Sequence, residues 1–170
     1  NIRLAARSKV FARMRTALCA LCSHQGGFGF ANGVEWYATE KISVHGATSL
    51  NWGAETNQVN HLRRLNALLK THPAFHDRTE LKMVQQGDEN CIVMLRRHLP
   101  SGKKLLIVAN LDDRNQTLAF WNPQETGMDE SAYVDLISGE NVAIAESDGK
   151  HSCLLDAGRV LCLTADRHDI

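Results

Sequence analysis

A chain of 170 residues with 44% apolar residues can build a real core, in one domain or in one domain plus part of a second. Nineteen Lys and Arg balance nineteen Asp and Glu, which excludes the basic field that attracts nucleic acid or an anionic membrane surface. No apolar run approaches the roughly 20 residues that span a bilayer, and the basic N-terminal stretch is not followed by the apolar block of a signal peptide. A start on Asn1 rather than Met leads to the expectation of a piece cut from something longer.

Residues 3–22 are expected to form a first helix, with Leu4, Val10, Met14, Ala17, Leu18 and Leu21 as its apolar stripe. Arg3, Arg7, Lys9, Arg13 and Arg15 crowd its N-terminal half, the wrong end for a helix dipole. Either acidic partners lie elsewhere or the helix starts further upstream. Cys19-Ala-Leu-Cys22 is formally C-x-x-C, read as a redox or zinc pair or as two small buried helix residues. No second pair follows at zinc-ribbon spacing and no strand precedes it, which favours the second reading. The five cysteines (Cys19, Cys22, Cys91, Cys153 and Cys162) are odd in number and do not have disulfide-framework spacing, which favours a reducing cytoplasm.

A glycine-rich run, residues 26–30, predicts a short buried strand at 28–30 and a turn at 31–33. It lacks the Lys-Ser/Thr of a phosphate loop, so nucleotide binding is not expected. Residues 34–56 read as a long irregular loop that carries Glu35, Trp36, Tyr37 and Trp52. Rings beside carboxylates and amides can stack on sugar faces, or they can plug the rim of a core. The second is the commoner fate of a tryptophan.

The next helix spans residues 57–72. Val59, Leu62, Leu65, Leu68 and Leu69 recur at helical spacing, Thr56 or Asn57 can cap the start, and Pro73 ends it. Then the period changes from 3.6 to 2. Strands are expected at 80–84, 91–97, 104–110, 116–121, 133–137, 142–145, 152–155 and 160–164, with turns between, which read as an antiparallel sandwich. The run 104–110, KLLIVAN, is the most apolar and is expected to be central.

No catalytic set emerges. Eight histidines show no H-E-x-x-H, G-x-S-x-G is absent, and Glu35, Glu40 and Glu55 are scattered through one loop. His72 is expected to meet the last helix carbonyls, and Asp112-Asp113 to be turn chemistry. No metal and no cofactor are expected.

The order of these pieces is informative: helix, glycine-rich strand ending in N-G-V-E-W, tryptophan loop, helix with H-L-R-R-L-N, H-P-A-F, then strands containing L-L-I-V-A-N-L-D and the turn Asp135-Leu136-Ile137-Ser138-Gly139. It resembles the C-terminal part of the alpha-amylase superfamily of glycoside hydrolases, and looks closest to the alpha-1,4-glucan maltosyltransferase branch. The resemblance implies an α+β fold. Residues 1–75 would be the end of a (β/α)8 barrel, with 28–30 as its last strand, Glu35 as the acid of a Gly-x-Glu-like motif and 57–72 as its last helix. Residues 76–170 would be an all-β antiparallel sandwich. It further implies that the catalytic carboxylates lie outside this chain, in a protein that works on alpha-glucans by a retaining two-step mechanism. Sugar contacts would fall on Glu35, Trp36, Tyr37 and Trp52, with an alpha-glucan or maltooligosaccharide as partner. Two readings compete with it. A carbohydrate-binding sandwich would expose Trp121, Tyr133 or Trp52, and an interaction domain would form a homodimer through exposed apolar faces of the barrel helices.

Overall fold

The computed structural model describes residues 3–25, 27–41, 45, 46, 49–87, 89–128 and 132–169. Outside them fall Gly26 of the glycine-rich run, 42–44, 47 and 48 of the tryptophan loop, Asp88 of a turn, and 129–131 of the loop before Tyr133.

The expected first helix is broken into α1 (Leu4–Arg7) and α2 (Lys9–Leu21). The break is Ser8, which takes an extended backbone and caps α2 by accepting the Phe11 amide at 2.9 Å. The cause lies far along the chain. Asp113 accepts the Ser8 hydroxyl at 3.0 Å and pairs with the Arg7 guanidinium at 2.6 Å. Asp113 is therefore one acidic partner that the basic helix start lacked in sequence. Asp112 does the turn work, accepting the amides of Arg114 and Asn115.

Helix α3 (Val59–Thr71) starts where Asn57 accepts the Val59 amide, and it stops at a 3-10 turn, Pro73–Phe75. The His72 ring does not reach the helix carbonyls, contrary to expectation. One ring nitrogen accepts the Ala74 amide at 3.1 Å and the other stands 3.4 Å from Asp169. A short helix α4 (Pro123–Thr126) was not foreseen.

Ten strands follow among the described residues: β1 (Thr79–Met83), β2 (Gln85–Gln86), β3 (Cys91–His98), β4 (Lys104–Asn110), β5 (Thr117–Trp121), β6 (Tyr133–Asp135), β7 (Glu140–Val142), β8 (Ala145–Ser147), β9 (Lys150–Leu155) and β10 (Val160–Thr164). They form a six-stranded sheet, β1-β3-β4-β10-β6-β7, and a four-stranded sheet, β2-β5-β9-β8, with antiparallel pairing. At Val84 the chain leaves the first sheet for the second, so β1 and β2 edge different sheets. The expected strand at 142–145 divides in the same way into β7 and β8. The expected strand at 28–30 is not formed, because no neighbouring strand offers those residues a ladder of hydrogen bonds.

The fold is α+β, in three layers: helices, six-stranded sheet, four-stranded sheet. Strand β4 explains the stacking. Leu105, Ile107 and Ala109 point to a core shared with Leu18, Leu21, Leu65, Leu68 and Phe75 of the helical segment. Leu106 and Val108 point the other way, to Trp121, Tyr133, Leu155 and Leu163 between the sheets. A strand covered on both faces must be apolar at nearly every position, which is why KLLIVAN does not alternate. Most of the helical stripe that the competing reading would use for a homodimer, Met14, Ala17, Leu18, Leu21, Leu65 and Leu68, is covered by this sheet, while Val10 is 42% exposed. Trp121 and Tyr133, two of the three rings that a binding sandwich could expose, are both 0% exposed. Their rings meet edge to face at 6.3 Å, and the Tyr133 hydroxyl donates to the Met128 carbonyl.

Two buried charges fix this arrangement, one between the helices and the six-stranded sheet and one within that sheet. Arg96, on the helix-facing side of β3, is 0% exposed and donates to the carbonyls of Leu21, Ser23, His24 and Ala74. Asp135, at the end of β6, is 1% exposed and accepts the Ile137, Ser138 and Cys162 amides.

Candidate functional site

The tryptophan loop is a chain of turns stitched to the start of α3. The amides of Trp36 and Ala38 both return to the Gly33 carbonyl, and the Val34 amide to that of Ala31. Gln58, just before α3 and 1% exposed, donates its amide NH2 to the Val34 carbonyl, and its backbone N–H to that of Glu35. Asn51 donates to the Trp36 carbonyl at 2.7 Å and so ties the second half of the loop to the first. Gly33 makes this folding possible, with φ at +89° and room for no side chain. A Cβ there would stand 2.9 Å from the Ala38 Cβ and 3.1 Å from the Leu50 Cβ. Gly33→Ala combines backbone strain with a clash against atoms that cannot swing aside, and should cost about 1–3 kcal/mol in denaturant unfolding.

These turns place Trp36 and Trp52 side by side, with ring centroids 5.3 Å apart and planes tilted by 46°. They wall a cleft of about 430 Å³ whose floor is Val59 and Leu62 of α3. Glu35 and Phe30 line it from the loop side, and Arg63 and Asn66 from the helix. Trp52 is 77% exposed, rare for an indole without a partner. The Trp36 indole nitrogen and one Glu35 carboxylate oxygen are buried and have no hydrogen-bond partner among the described residues. A buried donor and acceptor left unpaired beside an open ring suit a ligand with an apolar face and a rim of hydroxyls.

Of the four residues singled out in sequence, Glu35, Trp36 and Trp52 come together. Tyr37 does not line the cleft. It is 6% exposed, has φ at +54°, and its ring lies 5.9 Å from the Lys9 ammonium. Sequence reasoning missed Arg63 and Asn66. Their signal was present, since Val59, Leu62, Arg63 and Asn66 repeat at the spacing of one helix face. Among the described residues Glu35 is the one carboxylate that lines the cleft, so these residues can bind and orient a polyol but bring no facing pair of acids.

Elsewhere the chemistry is quiet. Cys19 is exposed and Cys22 half-buried, both as thiols, and burial pushes the Cys22 thiol up, away from the reactive thiolate. Among the described residues no three metal-binding side chains gather, and no helix is long and apolar enough to cross a membrane.

No protein-family model and no curated protein matches the chain. Among solved structures its fold is similar to a noncanonic maltogenic alpha-amylase, AmyB, from Thermotoga neapolitana, with a TM-score of 0.70 and 18% sequence identity. The match covers 92% of this chain. The likeness is one of fold. It also covers 38% of that enzyme, so the chain spans well under half its length.

Proposed function

We propose that this chain is the C-terminal region of an alpha-glucan-processing enzyme. In this reading residues 1–75 are the end of a catalytic barrel, residues 76–170 are its C-terminal sandwich, and the catalytic carboxylates are supplied from outside these residues. The order of motifs and the amylase-like fold support it. The likeness to a maltogenic amylase gives the maltosyltransferase branch no particular support, and that finer assignment rests on the motifs alone. A cytoplasmic setting belongs to the same reading, and the buried thiols of Cys153 and Cys162 accord with it.

The cleft is the part of the reading that this chain can carry itself. We assign it as a sugar-binding subsite, and the paired indoles of Trp36 and Trp52 beside Glu35 are the observation behind it. A pyranose presents C–H groups on a face and hydroxyls at the edge. The face would stack on Trp52, with the edge hydroxyls donating to Glu35 and accepting from the Trp36 N–H and Arg63. The competing sandwich module loses two of its three anchors, because Trp121 and Tyr133 are both 0% exposed, and the third, Trp52, lies in the loop before α3 rather than on a strand.

Titration with maltooligosaccharides, followed by tryptophan fluorescence, is expected to saturate in the millimolar range. Trp52→Ala removes a 77% exposed ring and leaves the core untouched. It should weaken binding about tenfold, roughly 1.4 kcal/mol. Equal affinity in the variant, or no saturation by the parent chain, would remove the cleft from the proposal.

A further inference from the structure

A second cavity, of about 270 Å³, opens on the other side of α3, between α2, α3 and the turns after β6 and β9. Its wall is basic. Arg13 comes from α2, Arg64 from α3 and Arg159 from the turn before β10. His61 stands one helical turn before Arg64 and lines the same space. It is 8% exposed, and neither ring nitrogen has a hydrogen-bond partner among the described residues. A buried imidazole without a partner costs free energy, and here it borders a space wide enough for several waters or one small ligand.

Two carboxylates share the wall, and both are engaged. Asp135 accepts three amides and lies 3.7 Å from Arg159, and Asp156 accepts the Gln116 side chain at 2.6 Å. Arg64 spends one donor on the Ile137 carbonyl at 3.0 Å and keeps the rest of its fork. Three guanidinium groups thus outnumber two carboxylates, and the carboxylates are occupied.

We propose that this cavity binds a small tetrahedral oxyanion, of phosphate or sulfate size, between Arg13, Arg64 and Arg159, with the His61 ring as an additional donor. Guanidinium forks match such an anion through paired N–H···O bonds, and the half-closed cavity strengthens them. The proposal does not rest on the sugar cleft, because α3 turns Arg63 and Asn66 to that cleft and His61 and Arg64 to this one. Burial, and then the charges of Arg13, Arg64 and Arg159, lower the His61 pKa to about 4, so the ring is neutral at pH 7 and donates from one nitrogen. A bound dianion reverses the charge term and raises that pKa. By linkage the anion then binds more tightly as the pH falls through the raised His61 pKa of the complex, with Asp135 and Asp156 as the acids facing the site.

The test is a titration of the intact chain with inorganic phosphate at constant ionic strength, read by amide and histidine ring NMR signals. Saturation at or below a few millimolar is expected, with shifts gathered on Arg13, His61, Arg64 and residues 157–159. Arg13→Ala and Arg159→Ala remove exposed side chains and should each weaken binding about three- to tenfold. Arg63→Ala, which changes only the sugar cleft, should leave it unaltered. Sulfate keeps its charge between pH 7 and 5, so it isolates the His61 response, and its affinity should rise across that range. Tighter binding of glycerol phosphate than of inorganic phosphate would mark an ester as the natural occupant, and the reverse would mark the free anion. Lack of saturation by about 50 mM would overturn the proposal, as would shifts scattered over surface cations or affinity indifferent to Arg13→Ala and Arg159→Ala.

Discussion

Arg96→Ala should lower the unfolding free energy by about 3–5 kcal/mol, and the melting temperature by about 10 °C or more. The size of the effect follows from what the side chain holds. Its nitrogens donate to Ala74 at 2.9 Å, Leu21 at 2.8 Å, Ser23 at 2.7 Å and His24 at 3.0 Å. Three of those carbonyls close the end of α2 and its exit turn, where a helix runs out of internal donors. The guanidinium also lies 4.3 Å over the Phe75 ring. Truncation leaves an empty space beside carbonyls that water cannot easily reach, which costs more than the bonds contributed net. Arg96→Lys should recover only part of the loss, because one ammonium cannot span four acceptors in a plane. Burial lowers the Arg96 pKa to about 10. Below that pH both folded and unfolded states hold the proton, so the deficit should be the same at pH 6 and pH 9. Above it the unfolded state binds the proton more firmly, and the cost of the buried charge is relieved. Urea unfolding of the parent and both variants measures all of this, and a deficit under 1 kcal/mol for Arg96→Ala would show that Arg96 does not hold the helix to the sheet.

Much of this fold is legible because its determinants are local. The α3 stripe, the stop at Pro73 and the doubly buried β4 all follow from the side chains within one element. What sequence hides is the long-range pairing. The break at Ser8 is set by Asp113, 105 positions away, so an unbroken helix was the natural reading. Arg96 drew no notice within its strand, although Ile92 and Met94 at the same period point to the helices and place it inside. Tyr133 and Trp121 gave no sign of burial, since an aromatic residue in a strand suits either face of a sheet. The cleft was half legible. Glu35, Trp36 and Trp52 stood out by type within one loop, whereas Arg63 and Asn66 sit on a helix that was read for its apolar stripe. The oxyanion cavity was not legible, because Arg13, His61, Arg64 and Arg159 come from three elements that meet only in the fold.

Asp135→Ala should be nearly as damaging as Arg96→Ala, about 3–5 kcal/mol. One carboxylate oxygen accepts the Ile137 amide at 3.2 Å and the Cys162 amide at 2.9 Å. The other accepts the Ser138 amide at 3.2 Å and its hydroxyl at 2.8 Å. The side chain so closes the turn that ends at Gly139 and pins it to the middle of β10. Asp135→Asn keeps the shape but turns one acceptor into a donor. That new donor faces backbone N–H groups, so about 2 kcal/mol should still be lost. The same variant also removes a negative charge from the wall of the basic cavity. Stability should therefore fall while phosphate binding tightens, and added phosphate should restore part of the lost melting temperature by mass action. Two quantities moving in opposite directions separate a local electrostatic change from general loosening, which would weaken both. Parallel loss of stability and of phosphate affinity in Asp135→Asn would show that the turn shapes the cavity more than the charge does.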